Sequence, residues 1–126
     1  MLEENQIVDQ AQKVMENLSR NNMVTTSQIR RFLTAVNAVT EKVNFYKMEK
    51  NENHDRLPPE LQAQVKYLKV KLAYQIGRHT TVKYFEKEAK LMEEIDDIKG
   101  SIQEYEKFAH YVEALVAFHK FYGGEN

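Results

Sequence analysis

Apolar residues recur at three- and four-residue intervals along most of this chain, and that spacing limits the possible folds more than any other feature. It places apolar side chains on one face of an α-helix. Strand-like alternation is missing, and the 126 residues include only four glycines and two prolines. The sequence therefore predicts an all-α protein, organised as a compact bundle of about five helices.

The periodic segments predict which side chains face the core. The fifth segment runs from Gly100-Ser101 to the glycines at 123–124 and is apolar over more than half of its circumference, as expected for a helix that is central or that also meets a partner. The expected buried faces of the first four segments are, in chain order, Ile7, Val8, Ala11, Val14, Met15 and Leu18; Ile29, Phe32, Leu33, Val36, Val39 and Val43; Leu61, Val65, Leu68, Leu72 and Ile76; and Val82, Phe85, Ala89, Met92 and Ile95.

Capping and turn residues predict the helix boundaries. "TTSQ" at 25–28 has the form of a capping box at the start of the second helix. Two prolines at 58 and 59 suit the start of the third helix, where a missing N–H costs nothing. Gly77 is placed to end that helix in a left-handed turn. Thr80 or Thr81 is expected to cap the fourth helix.

We expect one domain over residues 1–126, with a mobile polar loop at 49–58, "EKNENHDRLP". The acidic N-terminus "MLEENQIVDQ" is unlike a signal peptide. No apolar run is long enough for a membrane span, and there is no cysteine for a disulfide. These features predict a cytoplasmic protein without membrane partners.

Charge is distributed unevenly along the chain, although the formal net charge is only −1. Residues 61–85 contain no acid and carry +5, whereas residues 86–126 carry −5. An ordinary exposed helix face mixes Glu with Lys at helical spacing. The third helix instead places Tyr67, Val70 and Tyr74 among its bases.

Such a surface has the chemistry that single-stranded nucleic acid requires. Lys and Arg meet phosphates, and unpaired bases lie against aromatic rings. Gly77 beside Arg78 would allow close approach of a strand. Arg30 and Arg31 add bases near the start of the second helix, where the helix dipole favours anions. The alternative is a Lys-rich surface whose tyrosines are half-buried against a neighbouring helix.

Known catalytic and metal-binding patterns are missing from the sequence. The four histidines lack ligand spacing, and the acids of "EEIDD" at 93–97 point around a helix instead of converging. No Gly-rich phosphate loop or nucleophile elbow is present. We therefore expect no catalytic residues, no cofactor and no metal site.

Three motifs, in this order, carry a family resemblance: "VTTSQIRRFL" (24–33), "YLKVKLAYQIGR" (67–78) and "FAHYVEALVAFHKFYGG" (108–124). Over residues 5 to 124 the chain resembles the all-helical Csm-type small subunit of the type III-A CRISPR–Cas effector complex. The resemblance implies a non-catalytic RNA-binding subunit that acts in antiviral defence. Its implied partners are guide and target RNA, other subunits of the complex, and further copies of itself in a filament along the RNA channel.

The motifs also indicate which residues contact RNA. The first motif supplies Arg30 and Arg31, and the second supplies Lys69, Lys71, Tyr74 and Arg78. Lys66 joins them as a flanking base of the same helix. The third motif is mostly core, so it contributes no RNA ligand.

Two other functions fit the sequence. "NLSRNNMVTTSQIRRFL" has the form of a helix-turn-helix with a basic recognition helix, as in a DNA-binding regulator. The segregated charge also suits a protein-interaction scaffold whose copies associate head to tail. The sequence does not divide the bases between RNA and neighbouring subunits.

Overall fold

A computed structural model describes residues 3–18, 23–49 and 55–123, and these form a bundle of six α-helices. Within this part of the chain there is no strand, and no helix is both long and apolar enough to cross a bilayer. The all-α prediction is confirmed, with six helices where about five were expected. After a 3₁₀ turn at Glu4–Gln6 the helices are α1 (Ile7–Asn17), α2 (Thr26–Glu49), α3 (Pro59–Arg78), α4 (Thr80–Ala89), α5 (Leu91–Ile98) and α6 (Ile102–Phe121).

The sixth helix arises because the expected fourth helix is interrupted at Lys90. This residue adopts the left-handed conformation, with φ 56° and ψ 43°. The Glu86 carboxylate accepts hydrogen bonds from the backbone N–H groups of Leu91 (2.9 Å) and Met92 (3.2 Å). The carboxylate thereby satisfies N–H groups that a helix start leaves unpaired, so the break is stabilised locally.

Helix α6 lies at the centre of the bundle, as predicted, and packs against α1, α2 and α5. Its two buried tyrosines tie it to other helices. The hydroxyl of Tyr105 donates to the Val36 carbonyl at 3.0 Å, and that of Tyr111 donates to the Ala89 carbonyl at 2.8 Å. His119 is also buried, and its ring N–H donates to the Val24 carbonyl. The buried polar groups of α6 therefore orient it against its neighbours.

Several predicted helix starts are confirmed. Thr25 Oγ1 accepts from the backbone N–H of Gln28 (3.1 Å), and Gln28 Oε1 accepts from that of Thr25 (3.0 Å), which completes the capping box. Pro59 is the first residue of α3. Ser101 caps α6 by accepting from the backbone N–H of Glu104 at 3.1 Å.

The predicted boundary between the third and fourth helices was wrong. Helix α3 continues through Gly77, and the extended residue His79 (φ −132°) separates α3 from α4. Because an extended residue makes this turn, no left-handed glycine is needed. Thr80 and Thr81 lie inside α4 and do not cap it, and the Thr81 hydroxyl donates to Gln28 Oε1 at 2.8 Å.

Four of the residues expected in the core are not fully buried: Val8, Leu33, Ile76 and Met92. Val8 is 56% exposed, whereas the adjacent Ile7, which was predicted with it, is buried. On α3, Gln75 is buried at 7% exposure, while Ile76 is only partly buried. The polar Gln75 side chain therefore extends the buried stripe of Leu68 and Leu72.

The two ends of the expected loop at 49–58 are held in place. Glu49 still belongs to α2. Leu57 is buried, and its backbone N–H donates to the Gly100 carbonyl at 2.8 Å. The backbone carbonyl of Asp55 accepts a hydrogen bond from the backbone N–H of Ile102 at 2.9 Å. Residues 50–54, which include His54, lie outside the described residues.

Candidate nucleic-acid interface

A groove of about 580 Å³ lies between α2 and α3, which pack side by side. We call it the α2–α3 groove. Its residues come from both of the motifs that the sequence assigned to RNA. Helix α2 contributes Arg31, Phe32, Thr34, Ala35 and Ala38, and α3 contributes Tyr67, Val70, Lys71, Tyr74 and Gln75.

The groove exists because small residues of α2 face large residues of α3. Ala35 and Ala38 occupy one wall, and Tyr67 and Tyr74 stand on the other. The two rings are 58% and 61% exposed, and Val70 between them is 52% exposed. More than half of each tyrosine is therefore exposed, and the rest of each side chain forms the groove wall opposite α2.

Three cations surround these rings. Arg31 and Lys71 line the groove. Arg78 lies one turn beyond Tyr74, donates from Nη1 to the Tyr74 hydroxyl at 3.1 Å, and places its guanidinium carbon 5.9 Å from the ring centroid. Among the described residues, none of these three cations has an ion-pair partner, and no acid lines the groove. The groove is thus positively charged around an apolar floor.

Lys66 and Lys69 lie on a different side of α3. The Lys69 ammonium is 2.7 Å from the Asp96 carboxylate of α5. Lys66 lines a separate, more polar cavity of about 320 Å³, together with Asp96 and Lys99. The acid-free stretch of α3 therefore meets an acid of α5 on this side, and these two lysines are separated from the groove.

Arg30 is exposed on α2 but does not line the groove. Consecutive helical residues point about 100° apart, and here Arg31 lines the groove whereas Arg30 does not. The structure therefore brings together Arg31, Lys71, Tyr74 and Arg78, and it leaves Arg30, Lys66 and Lys69 outside this group.

Gln75 also lines the groove, although it is not among the predicted site residues. Its side chain lines the groove although the residue is only 7% exposed. Within the described part of the chain, no hydrogen bond reaches its side-chain amide, whereas buried polar groups are nearly always paired. The signal was present in the sequence, because Gln75 follows Leu68 and Leu72 at helical spacing and is the only polar residue of that stripe.

The described histidines and acids do not gather into a metal-binding group of three or more. Burial raises the pKa of the Glu86 carboxyl, although its hydrogen bonds with the backbone of Leu91 and Met92 oppose that shift. This group holds α5 in place and lies away from the groove. The arrangement in the groove is suited to binding an anion with aromatic parts.

Comparison with known proteins agrees with the resemblance carried by the motifs. The family model described as Csm2 Type III-A matches residues 2–125. The chain is 34% identical over 130 residues to "CRISPR system Cms protein Csm2" of Streptococcus thermophilus, covering 100% of this chain and 98% of that protein.

Two further relatives carry the same name. The protein from Enterococcus italicus is 31% identical over 123 residues, which cover 92% of this chain and 84% of the relative. That from Mycobacterium tuberculosis (strain CDC 1551 / Oshkosh) is 33% identical over 98 residues, covering 78% and 74%. Because the family model matches residues 2–125 and the Streptococcus thermophilus relative is aligned with the whole chain, this protein belongs to the Csm2 family of type III-A CRISPR systems.

Proposed function

We propose that this protein is a non-catalytic, RNA-binding small subunit of a type III-A CRISPR effector complex. In this role it contacts the RNA backbone through the surface of the α2–α3 groove. The observation that carries the proposal is the combination of two exposed tyrosines with three cations, Arg31, Lys71 and Arg78, that have no ion-pair partner among the described residues. The described residues that line the groove include no acid. Membership of the Csm2 family supports the assignment to the complex.

The backbone of RNA is the ligand that these cations fit best. Phosphates repeat along a strand, and a guanidinium can bind one through two parallel hydrogen bonds. Lys71 and Arg78 are seven residues apart on α3, which corresponds to about 10 Å along the helix axis. A strand lying along the groove would thus meet successive cations whatever its sequence.

Protein contacts form the second part of the proposal. The subunit associates with other subunits of the complex and with further copies of itself, in a filament beside the guide and target RNA. The segregated charge supports head-to-tail contact, since residues 61–85 carry +5 and residues 86–126 carry −5. We place the protein in the cytoplasm, where it acts in antiviral defence.

The seven residues predicted to contact RNA should then contribute unequally to RNA affinity. Arg31, Lys71, Tyr74 and Arg78 form the main surface, because the groove brings them together. Lys66, Lys69 and Arg30 are secondary contacts with RNA or with neighbouring subunits. Lys69 is weakened further by its ion pair with Asp96.

The test compares two neighbouring arginines, Arg31→Glu and Arg30→Glu. Fluorescence anisotropy with a single-stranded RNA of mixed sequence should show a much larger loss of affinity for Arg31→Glu. Wild-type affinity should fall steeply with salt, with a slope of roughly −0.7 per neutralised phosphate. Both variants should melt normally, because exposed substitutions usually change stability by about 0.5 kcal/mol or less.

Two results would contradict the proposal. One is a triple variant, Arg31→Glu with Lys71→Glu and Arg78→Glu, that melts normally and binds RNA as tightly as the wild type. The other is a preference of ~10³ or more for one duplex DNA site over scrambled DNA, which would favour a DNA-binding regulator. Equal RNA affinities of the Arg30→Glu and Arg31→Glu variants would also contradict the proposal, because they would place the contact outside the groove.

A further inference from the structure

The Gln75 amide is buried in the wall of the α2–α3 groove, and among the described residues it has no hydrogen-bond partner. An unpaired buried amide is costly to the fold. The same amide offers one acceptor oxygen and two donor hydrogens. A ligand that enters the groove and presents both a donor and an acceptor would remove this cost.

The walls of the groove add a second requirement for the ligand. Tyr67, Val70 and Tyr74 present an exposed aromatic and apolar surface opposite the small residues Ala35 and Ala38. The volume of about 580 Å³ lies in the range of about 300–1,000 Å³ that is typical of sites for small organic groups. A flat group with an apolar face and a polar edge matches these walls.

We propose that the α2–α3 groove receives an unpaired nucleobase of the bound RNA. The base stacks on the Tyr74 ring, and the Gln75 amide hydrogen-bonds to its edge. This inference rests on the proposed function and adds a base-binding pocket to the contacts with the backbone. Side-chain amides pair with base edges through a donor and an acceptor, and aromatic rings stack on single-stranded bases.

Arg78 prepares Tyr74 for this role. Its guanidinium donates to the Tyr74 hydroxyl and lies over the ring at 5.9 Å. The contact holds an otherwise exposed ring in one orientation, so less side-chain freedom is lost when a base arrives. It also places a cation where the phosphate attached to that base would lie.

An RNA base fits the groove better than an aromatic side chain of a partner protein does. Arg31 and Lys71, which line the groove, favour a ligand whose flat group is attached to an anion, and every nucleotide carries a phosphate. A hydrophobic protein side chain would need neither these cations nor the Gln75 amide. A neighbouring copy could offer its acidic C-terminal part, and the experiment separates that possibility.

The experiment uses the full-length protein and two probes: a single-stranded RNA and the same strand with abasic sites. The wild type should bind the abasic strand more weakly. Tyr74→Ala should lose about 5-fold or more in affinity for the intact strand, the usual effect of removing one base–aromatic stack. It should bind the abasic strand as the wild type does. The matched control is Tyr84→Ala, an exposed tyrosine of α4 outside the groove, which should change neither affinity.

Gln75→Met tests the hydrogen bond separately from the packing. Methionine keeps the shape of the side chain and removes the unpaired amide, so the variant should melt at the wild-type temperature or higher. Its affinity for intact RNA should fall, and its affinity for the abasic strand should not change. A purely structural role for Gln75 would leave both affinities unchanged and would overturn the assignment of Gln75.

The other outcomes also decide the question. Equal wild-type affinity for intact and abasic strands, with no effect of Tyr74→Ala on either, overturns the base pocket and leaves the backbone contact standing. Failure of the wild type to bind either strand overturns both proposals. If Tyr74→Ala leaves RNA binding unchanged but disrupts self-association in sedimentation, the groove holds a neighbouring copy and the base pocket is wrong.

Discussion

The ammonium of Lys69 on α3 lies 2.7 Å from the carboxylate of Asp96 on α5, and this ion pair joins residues that are 27 positions apart in sequence. Both side chains are partly exposed, at 37% and 60%. Exposed pairs of this kind contribute only about 0–1 kcal/mol to stability. The pair has a larger effect on the surface charge than on stability, because the Asp96 carboxylate offsets the charge of Lys69. Lys71 lies on the other side of the helix, and its charge is not offset by this pair.

Replacement of Lys71 should therefore weaken RNA binding more than replacement of Lys69. Lys71→Glu removes a cation from the groove and introduces an acid, so the salt dependence of RNA binding should lose about 0.7 of a slope unit for one phosphate contact. Lys69→Glu should have a smaller effect. Anisotropy titrations at several salt concentrations measure both affinity and slope. Equal losses in the two variants would show that the groove is not the main contact.

Arg78 should depend on its shape as well as on its charge. Arg78→Lys keeps a positive charge but loses the fork that donates to Tyr74 and can bind a phosphate twice. We expect an RNA affinity between those of the wild type and Arg78→Glu, with normal melting of both variants. Retention of RNA by the assembled complex is the second measurement. Full retention by Arg78→Glu would make Arg78 a structural or intersubunit residue.

A core substitution on α3 should affect folding instead of binding. Leu72 is 1% exposed, so Leu72→Ala should cost about 2–5 kcal/mol of unfolding free energy by leaving a cavity. Val70→Ala, at a position that is 52% exposed, should stay within about 0.5 kcal/mol. Urea unfolding measures both. A loss of less than 1 kcal/mol for Leu72→Ala would mean that α3 packs differently.

The break between α4 and α5 should tolerate glycine better than its present residue. A left-handed conformation costs an L-residue about 1–2 kcal/mol, and glycine avoids this cost. Glycine also has more conformational freedom in the unfolded state, which offsets part of the stabilisation. Lys90→Gly should therefore stabilise the protein by roughly 0.5–1 kcal/mol. Lys87→Gly, inside α4, should instead destabilise it by about 1 kcal/mol. If Lys90→Gly also destabilises, the two helices are continuous in solution.

Alkaline pH should destabilise the fold through its buried tyrosines. Burial raises the pKa of Tyr105 to about 12, although its hydrogen bond with Thr40 opposes the shift. Burial raises the pKa of Tyr111 too, with help from the charges of Glu94 and Glu86. Unfolded tyrosines lose their protons near pH 10, so the unfolded state is favoured as pH rises from about 10 towards 12.

The measurement is unfolding free energy at pH 8, 10 and 11 for the wild type and Tyr105→Phe. At pH 8 the unfolding free energy of the variant should be lower by about 1 kcal/mol, because the variant lacks the hydroxyl that donates a hydrogen bond to the Val36 carbonyl. Above pH 10 its stability should fall less steeply, since a raised tyrosine pKa can contribute up to about 1.4 kcal/mol per pH unit. Parallel pH curves would show that Tyr105 ionises as readily in the folded state as in the unfolded one.

Local sequence patterns were sufficient for most of the fold. The capping box at Thr25 and Gln28 and the proline start of α3 followed from short-range rules, and the structure confirms them. The break at Lys90 could not be predicted in this way, because periodicity continues across it. It depends on the Glu86 carboxylate, which reaches forward to the backbone of α5.

The same division applies to the candidate site. Its chemistry followed from the sequence, since residues 61–78 of α3 combine bases with tyrosines and contain no acid. The sequence did not show which basic residues belong to the site, because the basic residues of one helix point in directions all around its circumference. Only the packing of α2 against α3 shows that Arg31 shares a surface with Tyr74 and that Arg30 does not.

Helical structure and the apolar face of each helix could be predicted from the sequence alone, because they depend on residues three and four positions apart. The segments that carry positive charge could be read directly from residue identity. Tertiary structure alone decided that Asp96 meets Lys69 and that Gln75 is buried without a described partner in a groove. Both outcomes depend on which distant helix covers each face of α3. That choice follows from packing of the whole core, which no local pattern encodes.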